Sequence, residues 1–403
     1  MNTGQAIQTH GALEQIKAAS AAGNPNACHE LARYYDAQGN PDRAVRWMQR
    51  AIRVGHPPSE LQLAVWLLLG HNLPYQPDKA VRMISNVAKN GDLFAQSLLA
   101  SLYASGHGIK QSWDLAIDCL LDTAQKGLAR AIIQVAVLLD KSFIKERLML
   151  ADLAAGTGDP TAMALIKRWQ QRLPLEQAKN AFDWNDQQSW QRIKQGICLP
   201  HQNSCPAMVS KFTDPQINLI PALLSEDYCE YLCTSAEPYL KPATVNDAHS
   251  GELTDHTRTN AAMGFYPVEL DVVVHSLNLV LSDAVRLPPT QGEVLSVLKY
   301  QPGETYAPHY DFFDPNFPMH AQEIKRNGQR IKTALIYLSD QYTAGETSFE
   351  QLNWKFKGQL GDALVFSNVD SSGQPDRQTL HSGLAPDTGM KYLASKWFRD
   401  SVR

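Results

Sequence analysis

The sequence predicts an α+β chain of two unlike parts, an α-solenoid of helix pairs followed by a β-sandwich or jelly roll with supporting helices. Three observations predict it. Five glycines, Gly23, Gly55, Gly91, Gly127 and Gly158, recur at intervals of 32, 36, 36 and 31 residues, which is the spacing of stacked supersecondary units. From Lys211 onward the pattern changes to short β-like runs, VLSVLKY at 294–300, TALIYLS at 333–339, ALVFSN at 363–368 and KYLASKWF at 391–398, with Gly and Pro turns between them. The length, 403 residues, at roughly 150 per domain also asks for two or three domains.

In the first part a small residue stands four positions after each glycine (Ala27, Ser59, Ala95, Ala131, Ala162) and a branched aliphatic one eight after (Leu31, Leu63, Leu99, Val135, Ile166). Eleven after come Tyr34, Trp66, Leu102, Leu138 and Trp169. Offsets 4, 8 and 11 share one helical face. Small residues there let helices approach closely, and the large ones bury a stripe that no single repeat covers alone. Segments such as HELARYYDAQG and SLLASLYASGHGIKQSWDLAIDCLLDTAQKG resemble Sel1-like repeats, a branch of the tetratricopeptide class. That resemblance implies a surface for a protein partner. A further amphipathic helix is expected over 170–195, carrying Phe182, Trp184 and Trp190 as a cap. The proline-bearing stretch at 197–212 reads as a linker, so the expected domains are 1–196 and 213–403.

Composition narrows the function classes. Apolar residues make up 44%, and 37 Lys+Arg stand against 41 Asp+Glu for a net charge of −4, with no single-sign run to track a phosphate backbone. Nucleic acid is therefore not expected as a main partner. The longest purely apolar stretch, around Ala64–Leu69, is far short of the ~18 residues of a membrane span. Residues 1–20 lack a basic segment followed by an apolar one, so a reducing, cytoplasmic location is expected, with the six cysteines as thiols. Cys229 and Cys233 lie one turn apart on an expected helix and read as core. Cys198, His201 and Cys205 lack a second Cys/His pair for a zinc knuckle.

The chemistry lies in the second part. Helices are expected at 225–237, with Ser225 as N-cap and Glu226 and Asp227 in the first turn, and at about 268–285. In QPGETYAPHYD, His309 and Asp311 stand two apart, so on an extended strand they face one side. An imidazole and a carboxylate there can take adjacent sites on a metal, and His381 is a plausible third ligand. Such a 2-His-1-carboxylate set holds non-haem Fe(II) and leaves positions open. Lys391 follows ten residues after His381, across a turn containing Pro386 and Gly389. If these flank a hairpin, its ammonium reaches the same pocket, where it could pair with the far carboxylate of a chelating dicarboxylic acid.

From about Lys211 to Arg403 the chain closely resembles the prolyl 4-hydroxylase family of Fe(II)- and 2-oxoglutarate-dependent dioxygenases. The motifs are DPQINLIPALLSEDYCEYL, HTRTNAAMGF, GEVLSVLKYQPGETYAPHYD, QRIKTALIYLSDQYTAGETSF, GDALVF and LHSGLAPDTGMKYLASKWF. The resemblance implies a double-stranded β-helix, iron on His309, Asp311 and His381, and Lys391 on the C5 carboxylate of 2-oxoglutarate. It also implies hydroxyl contacts to that cosubstrate from Tyr300 and Thr347, and peptide-substrate contacts from Arg258, Arg330 and Trp397. Fe(II), 2-oxoglutarate and O2 are the implied cofactors, with ascorbate a candidate reductant. Three departures bear on the substrate: Asn260 stands for the usual serine, Ala344 for the first glycine, and FFDPNFPMHAQEIKRNGQ lengthens the stretch from His309 to Arg330. The favoured expectation is a prolyl hydroxylase acting on a peptide or protein recruited partly by the repeats. The alternatives are an oxygenase of another substrate and a non-catalytic adaptor.

Overall fold

The computed structural model describes residues 10–172, 186–247, 251–253 and 257–401. The chain folds as two compact units, Met1–Ile132 with Leu270–Val272, and Ile133–Glu269 with Val273–Arg403.

The first unit is an array of helices: α1 (His10–Ala21), α2 (Pro25–Ala37), α3 (Pro41–Arg53), α4 (Pro57–Leu69), α5 (Pro77–Lys89), α6 (Leu93–Ser105), α7 (Trp113–Gln125) and the start of α8 (Ala129–Leu138). From α1 to α7 each packs on its neighbour in sequence. Local signals fix their ends. Proline occupies the first position of α2 to α5, where a missing N–H costs nothing. Asn24, Asn40, Asp92 and Ser112 cap α2, α3, α6 and α7 through side-chain oxygens. All five repeat glycines hold positive φ, from 78° to 92°, the turn conformation that glycine tolerates best. The repeat stripe is the core: Leu31, Ser59, Leu63, Trp66, Ala95, Leu102 and Ala131 are buried.

The second unit starts inside α8, a helix buried from Ala131 to its end, and continues through α9 (Ile144–Gly156), α10 (Pro160–Arg172) and α11 (Gln187–Gly196). Its α-elements then become α12 (Glu226–Ala236), α13 (Val272–Val285) and α14 (Pro318–Asn327). Its strands are β1 (Val209–Thr213), β2 (Gln216–Ile220), β3 (Lys241–Pro242), β4 (Val245–Asp247), β5 (Gly251–Leu253), β6 (Ala261–Gly264), β7 (Ser296–Tyr300), β8 (Tyr306–His309) and β9 (Arg330–Tyr337). The rest are β10 (Tyr342–Ala344), β11 (Thr347–Phe349), β12 (Trp354–Phe356), β13 (Ala363–Ser367), β14 (His381–Gly383), β15 (Pro386–Gly389) and β16 (Lys391–Arg399). An eight-stranded antiparallel sheet, β1-β2-β13-β9-β16-β7-β6-β3, faces a four-stranded one, β12-β11-β14-β8. One core takes residues from both, with Leu298, Leu335, Tyr337, Leu364 and Leu393 opposite Phe349. This is the expected jelly roll, and all four β-like runs of the sequence are strands of its large sheet.

Three expectations need correction. The compact units part at Ile132/Ile133, not at 196/197. The physical reason is an ion cluster: buried Arg147 on α9 and Arg172 on α10 reach Asp227 of α12 at 2.7 and 2.6 Å, tying the last repeat helices to the sheet unit. The stretch 197–212 is not a free linker, because Cys198 N–H donates to Leu138 O at 2.8 Å and Leu199 and Pro200 are buried. The polar insert after Asp311 carries α14. Lys391 and His381 do not flank a hairpin, since β14 and β16 belong to different sheets and β15 pairs with β10. Trp190 is buried on α11 as a cap would be, while Phe182 and Trp184 lie outside the described residues. Ser225 stands at the N-terminus of α12 without a side-chain capping bond.

Candidate metal centre

His309 ends β8 and His381 begins β14, and the two are direct cross-strand partners in the small sheet. Opposite residues of an antiparallel pair share a face, so their rings meet with centroids 4.3 Å apart. Asp311 lies two residues beyond the end of β8 and turns back toward both: its oxygens are 3.6 Å from His309 Nε2 and 3.6 Å from His381 Nε2. The three donor atoms lie within 4.8 Å of one another.

The imidazoles are set in one tautomer by the main chain. His309 Nδ1 sits 2.8 Å from Ala307 O and His381 Nδ1 2.9 Å from Thr379 O. Each Nδ1–H therefore donates to a carbonyl, leaving the Nε2 lone pair aimed at the Asp311 side. Burial, with His309 alongside, holds His381 down to about 4, so it is neutral and free to ligate at pH 7. Burial alone would push the Asp311 carboxyl up; the two imidazoles and the Thr333 hydroxyl outweigh it and hold it well below the usual range. Tyr306 stacks on His309 at 3.5 Å between centroids, with Arg258 over its ring at 4.5 Å.

Next to this set lies a second polar group of a different kind. Lys391 opens β16 opposite Tyr300 of β7, is fully buried, and its Nζ has no hydrogen-bond partner among the described residues. Burial pushes its ammonium down to about 7, against the opposite pull of Glu346. A buried unpaired ammonium is costly, and a site made for an anionic ligand is what removes the cost. The walls suit one: Tyr300 is buried beside Gly383, where a Cβ would stand 3.2 Å from its hydroxyl, and Thr347 Oγ1 lies 2.9 Å from the Tyr337 hydroxyl. Gly383 is also the cross-strand partner of Thr347 and two residues from His381, so ammonium, hydroxyls and His/Asp/His set line one space. The donor set and the orphaned ammonium fit a divalent metal with a chelating dicarboxylate.

Known proteins resemble this chain over the same region. Residues 295–399 match the model of the 2OG-Fe(II) oxygenase superfamily. Prolyl 4-hydroxylase 1 of Arabidopsis thaliana is 30% identical over 262 residues, spanning 61% of this chain and 86% of that protein. The chain belongs to the prolyl 4-hydroxylase family. Prolyl 4-hydroxylase 5 of the same plant is 32% identical over 204 residues, 46% of this chain and 68% of that one. Among solved structures, a viral collagen prolyl hydroxylase from Paramecium Bursaria Chlorella virus-1 aligns at 24% identity and a TM-score of 0.36, covering 46% of this chain and 96% of that one. A Sel1 repeat protein from Oxalobacter formigenes aligns at 22% identity and 0.36, covering 46% and 77%. As a member of the family this chain is a 2-oxoglutarate dioxygenase of the procollagen-proline 4-dioxygenase type, with Fe(II), 2-oxoglutarate and O2 as cofactors.

The structure places the three family-implied substrate residues in fixed surroundings. Arg258 donates to Asn260 Oδ1 at 3.2 Å and to Thr244 O at 3.0 Å, so Asn260, the departure from the usual serine, is fully buried as its acceptor. Arg330 makes a two-pronged pair with Glu293 at 2.7 and 3.0 Å, under Trp397 at 3.6 Å. Trp397 Nε1 is buried without a partner among the described residues. Sequence reasoning gave no role to Tyr337, Tyr306, Glu293 or Thr333. A signal was present for two of them: positions 333, 335 and 337 share one face of β9, and two of the three are polar.

Proposed function

We propose that this dioxygenase hydroxylates proline in a peptide or protein substrate, holding Fe(II) on His309, Asp311 and His381 and the C5 carboxylate of 2-oxoglutarate on Lys391. The observation that carries the reading is the buried, unpartnered Lys391 Nζ beside the His/Asp/His set. The bound cofactors supply the oxidation: 2-oxoglutarate loses CO2 to become succinate while one oxygen atom enters a C–H bond of the substrate. The chain orients and encloses. Ala307 O and Thr379 O hold the two imidazoles, Lys391 neutralises the far carboxylate, and the Tyr300 and Thr347 hydroxyls stand ready to bond it. Burial of Lys391, Tyr300, Thr347 and His381 keeps water away from the cosubstrate. Arg258, Arg330 and the free Trp397 N–H form the wall we assign to the peptide. The helical array, a compact unit of its own, is read as the recruiting surface for the protein that carries it. Six free thiols support a reducing compartment such as the cytoplasm.

The test is direct. His309→Ala and Asp311→Ala are each expected to abolish Fe(II) binding and succinate formation on a proline-containing peptide. Full iron binding and turnover by Asp311→Ala would overturn the ligand assignment; succinate formed without hydroxyproline would overturn the substrate.

A further inference from the structure

We propose that Asn368 and Thr333 form a positioning relay for Asp311, in which the amide of Asn368 decides where the single proton of the Thr333 hydroxyl points. The proposal rests on Asp311 as a metal ligand.

Thr333 Oγ1 lies 2.7 Å from Asp311 Oδ2. An ionised carboxylate only accepts, so the threonine proton goes to it. With that proton used, the hydroxyl oxygen can only accept, and Asn368 Nδ2 at 2.9 Å supplies the donor. The amide oxygen of the same side chain is 3.4 Å from Thr333 Oγ1. An acceptor brought close there would draw the proton off Asp311. Asn368 is held in place by its own main chain: its N–H donates to Ile331 O at 2.9 Å and its O accepts from Asp376 N at 3.0 Å. Thr333 and Asn368 are fully buried and Asp311 is 4% exposed, so bulk water is kept from replacing a lost partner.

The relay also explains how Asp311 is placed at all. The two histidines are fixed by strand pairing within the small sheet, whereas Asp311 lies past the end of its strand. Thr333 belongs to β9 of the large sheet, and Asn368 follows β13, the strand paired with β9. The third ligand is thus held from across the barrel, by the opposite sheet.

The test is Co(II) binding to the full-length protein, followed by visible absorption without 2-oxoglutarate. Loss of an outer hydrogen bond to a ligand typically costs 10–100-fold in metal affinity. Thr333→Val is expected to weaken Co(II) at least about tenfold, with Thr333→Ser within about threefold of the parent. Asn368→Asp, of the same shape but accepting only, is expected to lose as much as Thr333→Val, although its added negative charge should by itself attract the cation. Asn368→Leu, which leaves the threonine proton no competitor, is expected to lose less. The double variant Thr333→Val/Asn368→Asp should bind no more weakly than Thr333→Val. Additive losses, a Leu variant weaker than the Asp variant, or unchanged affinity in Asn368→Asp would overturn the relay. If Thr333→Val fails to fold, Asn368→Asp against Asn368→Leu decides. Unchanged Co(II) affinity in Asp311→Ala would instead remove the ligand assignment beneath it.

Discussion

The helical array and the sheet unit bury different things. Over residues 10–132 the buried polar side chains are Ser20, Ser59, Ser101 and Thr123, none of them ionisable. The sheet unit buries Arg147, Asp227, Asp311, Arg330, His381, Lys391, Lys396 and Arg399. A stack of repeats gains stability from one small interface at a time and can be damaged locally. A barrel with ions inside keeps them only while every partner is present, because a buried charge left alone costs far more than its pair contributes.

The largest expected consequence concerns the boundary between the two styles. Deleting residues 1–199 removes Arg147 and Arg172 together with α9 and α10, and turns Asp227, 5% exposed in the whole chain, out to water. The apolar side of α12 that packed on α10 is bared as well, at roughly 25 cal/mol for each Å² uncovered, against a domain stability of about 5–15 kcal/mol. A chain starting at Pro200 should therefore be insoluble or lack a cooperative melt, whereas one starting at Leu128 keeps both arginines and should melt cooperatively and bind Co(II). A soluble, cooperatively melting Pro200 fragment would show the arginines to be dispensable.

Lys391 gives the next effect, with opposite signs in two measurements. Lys391→Met should raise the 2-oxoglutarate requirement ten- to a hundredfold, since a hydrogen bond to a charged group is worth about 1.5–3 kcal/mol. The same variant should stabilise the ligand-free protein. The folded form holds this ammonium down to about 7 against an unfolded value near 10.4, so between those values the unfolded chain binds more protons. Ligand-free stability should then rise with pH from 7 toward 10 in the parent, and Lys391→Met should flatten that rise in thermal melts. An unchanged cosubstrate requirement would exclude Lys391 as the anchor.

Which parts were legible in the sequence follows from how each is built. The repeat stripe and the four core strands rest on local periodicity, and glycine turns marked the repeat starts. His309 and His381 were readable because motif and strand pairing coincide. The attachment of α9 and α10 to the sheet unit was not legible, since Arg147 and Asp227 are 80 residues apart and look like surface charges. Nor was the support of Asp311, because Thr333 and Asn368 meet only when β9 and β13 pair. Local pattern predicts elements; the pairing of distant buried polar groups needs the fold.

A titratable cluster in the array tests whether damage there stays local. His56 Nε2 lies 2.8 Å from Asn26 Oδ1, His56 Nδ1 2.8 Å from Ser59 Oγ, and Ser59 Oγ 2.9 Å from His29 Nδ1. Asn26 Oδ1 accepts, so His56 donates from Nε2, the serine donates to His56 Nδ1, and His29 donates to the serine. Burial, with His56 and Arg33, holds His29 down to about 4. A histidine lowered in the folded state gives full stability above its unfolded value near 6.5 and loses it as pH falls toward 4. Hydrogen exchange in α2 and α4 should accelerate between pH 7 and 5, with β9 and β16 unchanged, and His29→Gln should abolish the acceleration. Equal acceleration in both units would mean that the whole chain opens together.

The smallest effect tests the sheet unit at a position that carries no charge. Ala344 stands where the family resemblance expects glycine and holds φ +56°, followed by Gly345 at +72°. A left-handed alanine costs about 1–2 kcal/mol, whereas glycine adopts that conformation freely but loses about 0.4–1 kcal/mol more entropy on folding. The difference favours Ala344→Gly by up to about 1.6 kcal/mol, or a few degrees in Tm. The residue is part of the β10–β15 pair, two residues before Glu346, so relief of strain there should leave Co(II) affinity unchanged. A lower Tm would show that contacts of the alanine methyl outweigh its backbone strain, and a changed Co(II) affinity would show that the strained turn helps to shape the metal site.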